Sequence, residues 1–230
     1  MNKVIVIIPA FNEDKSIANV IKDIPLSIVN KIIVVNNNST DNTAIVAKNA
    51  GATVLLEPNM GYGYACLKGI QYIAENELNP DIIVFLDGDY SDYPEQIAEL
   101  ISPITTQNYD FVVGSRNNSQ LEKGAMTPQQ IFGNGLATFL MRLFFKAKFT
   151  DLGPFRAIKY SCLLDLQMED KTYGWTIEMQ LKAIKKHLKY IEIPVRYRKR
   201  IGVSKVSGTV KGTIFAGIKI LTWIFKYSFK

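Results

Sequence analysis

The stretch IIVFLDGD, residues 82–89, joins five apolar residues directly to two carboxylates, Asp87 and Asp89. A short apolar run without polar alternation is typical of a strand that is buried on both faces of a parallel sheet. Ligands of such sheets bind beyond the carboxyl ends of the strands, where the two carboxylates fall. Carboxylate oxygens are ligands that Mg²⁺ and Mn²⁺ prefer, so the stretch predicts a metal site, although Asp-Gly alone is also a common turn pair.

Further apolar runs alternate with helical patterns over the first 115 residues. The predicted strands are Val4–Ile8, Lys31–Val35, Thr53–Leu56, Asp81–Leu86 and Phe111–Gly114. The predicted helices are Ser16–Asp23, Asp41–Ala50, Gly63–Glu77 and Pro94–Ile101. This alternation predicts an α/β fold with a mostly parallel central sheet and helices on both faces. The second half is less regular, with predicted helices over 129–145, 175–187 and 209–227 and a predicted strand over 189–196.

The composition indicates one large α/β domain that does not depend on disulfide bonds. The chain has 230 residues, of which 47% are hydrophobic, and such a chain can bury a sizeable core. Its two cysteines, Cys66 and Cys162, form neither a disulfide framework nor a zinc pattern, and they favour a reducing, cytoplasmic setting. The first apolar run, Val4–Ile8, is too short for the apolar region of a signal peptide, and we interpret it as a strand.

Positive charge is concentrated towards the C-terminus. Residues 182–230 contain 13 Lys and Arg against one acid, whereas the preceding residues carry 14 basic and 20 acidic side chains. Such an asymmetry indicates contact with an anionic partner, for which phosphates, anionic lipid and nucleic acid are the candidates. A solvated basic face is the alternative interpretation.

Polar motifs follow the other predicted strands as well. PAFNE at residues 9–13 follows the first strand, NNNSTD at residues 36–41 follows the second, and NMGYGYA at residues 59–65 precedes a helix. Glycine lets the backbone approach a ligand closely, and a helix N-terminus favours anions. Taken singly, each motif also fits turn and helix-capping chemistry.

Together and in this order, these motifs resemble those of family 2 glycosyltransferases, especially dolichyl-phosphate mannose synthase and other polyprenyl-phosphate glycosyltransferases. The resemblance continues through VGSR at 113–116, DLGPFR at 151–156, YGWTIE at 173–178 and RIGVSK at 200–205. It covers nearly the whole chain, from Val4 to about Gly208.

The resemblance implies a GT-A fold over residues 1–208, which is a Rossmann-like nucleotide-diphospho-sugar transferase domain. It also implies inverting transfer of a sugar from a UDP- or GDP-sugar to a polyprenyl phosphate, with Mg²⁺ or Mn²⁺ at Asp87 and Asp89. The residues expected at the donor are Pro9, Asn12, Glu13, Asn37, Asn59, Gly61, Asp87, Gly88 and Arg200. The residues expected at the phosphates or the acceptor are Arg116, Arg156, Trp175, Arg198, Ser204 and Lys205. Arginine suits phosphate because its guanidinium can donate two parallel hydrogen bonds to two phosphate oxygens. The alternative interpretation of residues 198–200 is the solvated, basic end of a strand.

Three carboxylates are candidates for the catalytic step. Asp89 belongs to the expected metal site, whereas Asp151 and Glu178 are candidate general bases. A hydroxyl acceptor needs such a base near the attacking oxygen, but a phosphate monoester is already anionic at neutral pH and needs less help. The structural alternatives are a cap or turn residue for Asp151 and a helix-surface acid for Glu178.

Residues 209–230 predict a basic amphipathic helix. Lys211, Lys219 and Lys226 share one helical face, and the uninterrupted apolar stretch 213–218 is far shorter than the roughly 20 residues that a membrane span requires. Such a helix can lie in a membrane interface, which agrees with a lipid phosphate acceptor, or it can pack on the domain or on a partner subunit. We therefore expect a cytoplasmic protein, peripheral at the inner face of the membrane, that does not bind nucleic acid.

Two other classes of function stay open at this point. One is a glycosyltransferase of the same fold with a soluble or polysaccharide hydroxyl acceptor. The other is a nucleotide-sugar-binding protein or a nucleotidyltransferase. Nucleotidyltransferases typically place a Gly-rich, Arg/Lys-bearing loop directly after the first strand, where this chain has PAFNE, so this feature argues against them. The sequence predicts neither the sugar nor the oligomeric state.

Overall fold

A computed structural model describes residues 2–116, 119–202 and 210–228. The strands are β1 Val4–Ala10, β2 Lys31–Asn36, β3 Thr53–Leu56, β4 Ile82–Phe85, β5 Phe111–Ser115, β6 Arg156–Lys159 and β7 Tyr190–Pro194. The helices are α1 Ile17–Asp23, α2 Thr43–Asn49, α3 Tyr62–Glu75, α4 Ile97–Gln107, α5 Pro128–Phe145, α6 Tyr160–Leu166, α7 Trp175–Lys185 and α8 Val210–Ser228, with a 3₁₀ turn, Pro94–Gln96, before α4.

These strands form one sheet in the order β3-β2-β1-β4-β6-β5-β7. Strand β1 pairs in parallel with both β2 and β4, and β3 and β7 also pair in parallel with their neighbours. Only β6, among the described strands, runs antiparallel to its neighbours β4 and β5. The predicted α/β architecture with a mostly parallel sheet is confirmed.

Strand β1 shows why a continuous apolar run is needed at the centre of this sheet. Its alternate side chains enter two separate cores, with Ile5 and Ile7 on one face and Val4, Val6 and Ile8 on the other. Since helices cover both faces, every residue of β1 is buried, and a polar side chain on either face would lose its hydration.

The irregular second half contains two elements that the sequence did not predict, β6 and α6. The segment RAIK that forms β6 has only two apolar residues between two cations, so it lacks the apolar run typical of a buried strand. Its pairing partners, β4 and β5, stabilise it from both sides. Helix α4 also continues to Gln107, past the predicted end at Ile101 and through Pro103.

Helix α8 packs against α5 and α7. Trp223 and Ile224 are buried and belong to the same core as β1, and the Trp223 Nε1–H donates to Asp170 Oδ2 at 2.7 Å. Lys226 pairs with Glu169 at 3.2 Å. Within the described ranges, the structure contains no helix with the length and apolarity needed to cross a membrane.

Candidate active site

The carboxyl ends of β1, β2 and β4 meet at one edge of the sheet, because all three strands are parallel. A cavity of about 530 Å³ opens there. Its polar end is lined by Pro9, Phe11, Glu13, Asn37, Gly61, Tyr62, Asp87, Gly88, Asp89, Arg116, Tyr197 and Arg200. Its other end lies between α5 and α8 and is lined by Gln129, Gln130, Gly133, Asn134, Leu136, Ala137, Ala216, Gly217, Ile220 and Leu221. Seven of the nine residues expected at the donor therefore line one cavity.

The two carboxylates after β4 lie side by side at the polar end. The Tyr62 hydroxyl donates to Asp87 Oδ1 at 3.1 Å, and burial, together with the charge of nearby Asp89, raises the pKa of Asp87 to about 6. Asp89 Oδ1 accepts hydrogen bonds from the backbone and hydroxyl of Ser91. Asp89 Oδ2 pairs with Arg200 Nη1 at 2.6 Å. One oxygen of Asp89 is thus fixed by the loop, while the other meets a cation in the cavity.

This donor set fits Mg²⁺ or Mn²⁺. Both carboxylates supply hard oxygen atoms, and a cationic group, the Arg200 guanidinium, already pairs with Asp89. In the described ranges, no group of three Asp, Glu, His or Cys side chains converges to hold a metal ion. Asp87 and Asp89 would therefore hold the ion together with water and phosphate oxygens, which is the usual arrangement for Mg²⁺.

A third acid of this loop, Asp92, was not predicted as a site residue. It is almost fully buried, and neither of its carboxylate oxygens has a hydrogen-bond partner in the described part of the chain. Burial, followed by the charges of Asp87 and Asp89, raises the pKa of Asp92 well above its usual range. The signal in the sequence was the third acid of DGDYSD, but its spacing alone did not show that it turns inward.

Arg116 is held by a buried ion pair. Its Nε and Nη2 donate to the two oxygens of Asp151 at 2.9 and 2.7 Å, and its backbone N–H donates to the same carboxylate at 2.6 Å. Burial opposes ionisation of Asp151, but the charge and hydrogen bonds of Arg116 outweigh it and hold the pKa of Asp151 below its usual range. The guanidinium also lies 5.1 Å from the ring centre of Tyr197. Asp151 was expected to be catalytic, but its geometry is that of a residue that positions Arg116.

Glu178, the second candidate base, lies away from the cavity. Its carboxylate accepts the backbone N–H groups of Glu169 and Asp170, each at 2.8 Å, and pairs with Lys182 at 2.8 Å. The side chain is fully buried, so the alternative interpretation of Glu178 as a helix-surface acid is wrong. These contacts fix the loop before α7, because they pair two backbone donors that burial would otherwise leave unsatisfied.

Two residues expected at the acceptor, Arg156 and Trp175, are also buried behind the site. The Arg156 guanidinium donates to the backbone carbonyls of Leu152, Gly153 and Thr176. Trp175 packs edge-on against Phe85, with ring centres 5.7 Å apart. The structure does not bring either side chain to the cavity lining, since both are committed to the packing of β4, β6 and α7.

Three of the expected polar residues hold loops around the cavity. Asn12 Oδ1 accepts the backbone N–H of Thr40 at 2.8 Å. Asn37 donates to two carbonyls of the 57–61 loop and accepts the Gly61 N–H at 2.8 Å. Asn59 donates from its backbone and side chain to a Glu57 carboxylate oxygen.

Arg198, which was expected at the phosphates, donates to the backbone carbonyls of residues 90 and 92. Ser204 and Lys205 lie outside the described residues.

The glycines of NMGYG serve a close approach to another part of the chain. A side-chain carbon at Gly63 would lie 2.0 Å from the carbonyl oxygen of Asp170, and one at Gly61 would lie 2.3 Å from that of Lys171. The Tyr64 N–H donates to this second carbonyl at 2.9 Å. The motif thus docks the start of α3 onto the 170–172 segment, and Tyr62, which no sequence pattern marked as a site residue, reaches Asp87 from that helix.

The far end of the cavity opens onto an apolar surface that α5 and α8 share. We call this surface the α5–α8 face. Its exposed side chains include Ile131, Phe132, Leu136, Phe139, Leu143 and Phe144 on α5 and Ile214, Phe215, Ile218 and Phe225 on α8. The rings of Phe144 and Phe225 touch, with centres 6.0 Å apart. Leu136 lies in both the cavity lining and the face, so the cavity and the face are continuous.

Comparisons with known proteins agree with this fold. The family model described as "Glycosyl transferase family 2" matches residues 5–166. An uncharacterized glycosyltransferase of Mycobacterium tuberculosis is 32% identical over 219 residues, covering 93% of this chain and 94% of its own. A UDP-N-acetylglucosamine–dolichyl-phosphate N-acetylglucosaminyltransferase of Methanococcus voltae is 30% identical over 211 residues, covering 83% of each chain.

Solved structures confirm the GT-A fold. Glucosyl-3-phosphoglycerate synthase of Mycobacterium tuberculosis, in complex with Mn²⁺, UDP and glucosyl-3-phosphoglycerate, matches 99% of this chain and 80% of its own, with a TM-score of 0.79 at 19% identity. The same enzyme with Mg²⁺ and UDP gives a TM-score of 0.78.

Proposed function

The chain belongs to glycosyl transferase family 2, and on that premise we propose that it moves a sugar from a UDP- or GDP-sugar to a polyprenyl phosphate at a membrane surface. Its class, a glycosyltransferase that uses a nucleotide sugar, follows from the family. One observation carries the choice of acceptor. A single cavity has three carboxylates and two arginines at one end and a groove between α5 and α8 at the other, which suits a molecule with a charged head and an apolar chain.

We assign the donor to the polar end of the cavity. Pro9, Glu13 and Asn37 line the part expected to hold the nucleoside, and Asp87 and Asp89 face the part expected to hold the diphosphate. A divalent ion bound there would offset the charge that develops on the nucleoside diphosphate as it leaves. The Arg200 guanidinium can donate two parallel hydrogen bonds to phosphate oxygens.

The buried carboxylates favour an acceptor that is already anionic. Asp151 is engaged by Arg116, and Glu178 is engaged by Lys182 and two backbone N–H groups, so neither is placed to deprotonate a hydroxyl. A phosphate oxygen needs no such base at neutral pH. In the proposed inverting step, this oxygen forms a bond to the anomeric carbon while the bond from that carbon to the donor diphosphate breaks on the opposite side. Arg116, fixed by Asp151, would orient the acceptor phosphate.

The α5–α8 face supports a peripheral membrane contact. Several large apolar side chains of one surface are exposed together, and patches of this kind mark contacts with proteins or membranes. Lys219 and Lys226 of α8 are paired with Asp170 and Glu169, so the exposed apolar side chains carry this assignment. The Methanococcus voltae relative, whose name includes a dolichyl-phosphate acceptor, also favours this assignment over a soluble acceptor.

A donor and acceptor screen tests the proposal. UDP-, GDP- and dTDP-sugars would be supplied with Mn²⁺ or Mg²⁺, each with a short polyprenyl phosphate, the matched polyprenyl alcohol, or phosphoglycerate. We expect glycolipid from one donor with the lipid phosphate and none with the alcohol, because the alcohol lacks the anionic nucleophile. Transfer to phosphoglycerate or to the alcohol, with none to the lipid phosphate, would contradict the proposal.

A further inference from the structure

An ion pair within the cavity joins Arg200 to a carboxylate that is also expected to bind the metal ion. Arg200 Nη1 lies 2.6 Å from Asp89 Oδ2, and the side chains are 22% and 6% exposed. The other oxygen of Asp89 is held by Ser91. The guanidinium therefore pairs with the carboxylate oxygen that is not committed to the loop.

The backbone around Arg200 is tied to the carboxylate loop. The Ile201 N–H donates to the Asp89 carbonyl at 2.9 Å, and the Arg198 N–H donates to the Ser91 carbonyl at 2.9 Å. Asp92 and Tyr197 form an antiparallel bridge beside them. Since these bonds involve only the backbone, the Arg200 side chain can turn about its own torsions while its Cα stays beside the site.

We propose that Arg200 is the resident cation of this site, which competes with the divalent ion for Asp89 and moves to the diphosphate when the nucleotide arrives. The inference rests on the proposed function, because it takes a nucleoside diphosphate as the ligand. Two neighbouring carboxylates that are largely shielded from water need a counter-ion, and Arg200 supplies it. A divalent ion on the same oxygen repels the guanidinium, so one cation displaces the other.

A nucleoside diphosphate removes this competition. It brings negative charge of its own, and its phosphate oxygens accept the guanidinium fork. Asp89 then becomes free for the divalent ion. The metal ion and the nucleotide should therefore bind cooperatively, each with higher affinity when the other is present. Without Arg200 the metal ion alone should bind better, and the cooperativity should shrink.

Equilibrium binding of Mn²⁺, followed by the electron paramagnetic resonance signal of the free ion, tests this inference without any turnover. The variants are Arg200→Gln and a matched control, Arg196→Gln, which removes the same charge from an exposed pair with Glu95. In the absence of nucleotide, we expect Arg200→Gln to bind Mn²⁺ about fivefold more tightly than the wild type, with Arg196→Gln within about twofold. With UDP or GDP present, the gain in Mn²⁺ affinity should be smaller for Arg200→Gln than for the wild type.

An Arg200→Lys variant separates the contact from the charge. It keeps the positive charge but loses the fork, and its Mn²⁺ affinity should lie between those of the wild type and Arg200→Gln. Equal or weaker Mn²⁺ binding by Arg200→Gln in the absence of nucleotide would overturn the inference while leaving the proposed function intact. Failure of the wild type to bind Mn²⁺ even with UDP or GDP would instead count against the proposed function.

Discussion

The ion pair between Asp151 and Arg116 is the residue-scale contact on which the proposed acceptor side depends. Both charged groups are buried, and the two hydrogen bonds between the side chains are parallel. Arg116 lines the cavity whereas Asp151 does not. Asp151 therefore acts through Arg116, which a substitution can reveal.

We expect Asp151→Asn to destabilise the fold and to lower activity at the same time. Removing one charge of a buried pair costs about 3–5 kcal/mol, because the partner charge is left uncompensated. The lowered pKa of Asp151 means that this stability is present above the unfolded value near pH 4 and is lost as the pH falls through the folded value. Urea unfolding should show a large loss at pH 7 that shrinks below about pH 4.

The matched control for this measurement is Asp165→Asn. Asp165 pairs with Lys186 at 3.0 Å, but both side chains are exposed, so its loss should cost less than about 1 kcal/mol at either pH. Equal stability of Asp151→Asn and the wild type at pH 7 would show that the ion pair does not hold Arg116.

A second residue-scale prediction concerns the metal site. Asp89→Asn should lower kcat/KM about 10²–10³-fold, because the ion loses an anionic ligand where charge develops on the diphosphate. The amide oxygen can still accept the Ser91 N–H, so the loop should keep its shape. The measurement is a transfer assay with circular dichroism as the folding check. Full activity of the Asp87→Asn/Asp89→Asn double variant, or of the wild type in excess chelator, would contradict the assignment.

The sequence could predict which residues reach the cavity only for residues that follow a predicted strand. Asp87 and Asp89 follow a buried strand directly, so their place at the sheet edge followed from the pattern. No predicted strand precedes Asp151, Arg156 or Glu178. The sequence of their motifs does not predict whether each side chain faces the cavity or the protein interior. All three turn inward, because each finds a buried partner there.

At the scale of elements, β6 shows the same limit of sequence patterns. Strands β1 to β5 were predicted because each has an apolar run, whereas β6 owes its conformation to pairing with β4 and β5. Those partners precede it by about 70 and 45 residues along the chain, so no local pattern reports them. The sheet order likewise depends on such distant pairs.

The α5–α8 face gives the element-scale prediction. Phe132→Ser/Phe139→Ser should weaken binding to anionic vesicles about tenfold or more, because two large apolar side chains no longer enter the lipid. Both residues are exposed, at 73% and 57%, and serine and phenylalanine have similar helix propensities, so the fold should be unaffected. Vesicle sedimentation measures the binding, and thermal unfolding checks the fold.

The control for the face is Leu26→Ser/Ile45→Ser. These side chains are also well exposed, at 73% and 62%, but Leu26 lies in the loop after α1 and Ile45 lies on α2. Equal loss of vesicle binding in both double variants would contradict a specific face. Removal of residues 211–230 would be a poorer test than these substitutions, because Trp223 and Ile224 belong to the core and their loss would also destabilise the domain.

At the scale of the whole molecule, the cavity joins segments that are far apart in sequence. Its polar end takes residues from β1, from the loop after β4 and from the segment after β7. The unfolded chain has no such site, so any ligand that bridges these segments binds the native state alone. Ligand binding should therefore be visible as added stability of the entire domain.

We expect Mn²⁺ together with the cognate nucleoside diphosphate to raise the melting temperature of the wild type. At a ligand concentration 100 times the Kd, the native state gains about 2.7 kcal/mol, which for a chain of this length corresponds to a shift of about 5–10 °C. Thermal unfolding would be followed with UDP or GDP, with and without Mn²⁺. Asp89→Asn should show little of this shift, because it loses the ligand that links the ion to β4. A wild-type melting temperature that no combination of nucleotide and Mn²⁺ raises would remove the basis for placing the donor in this cavity, whatever acceptor the enzyme uses.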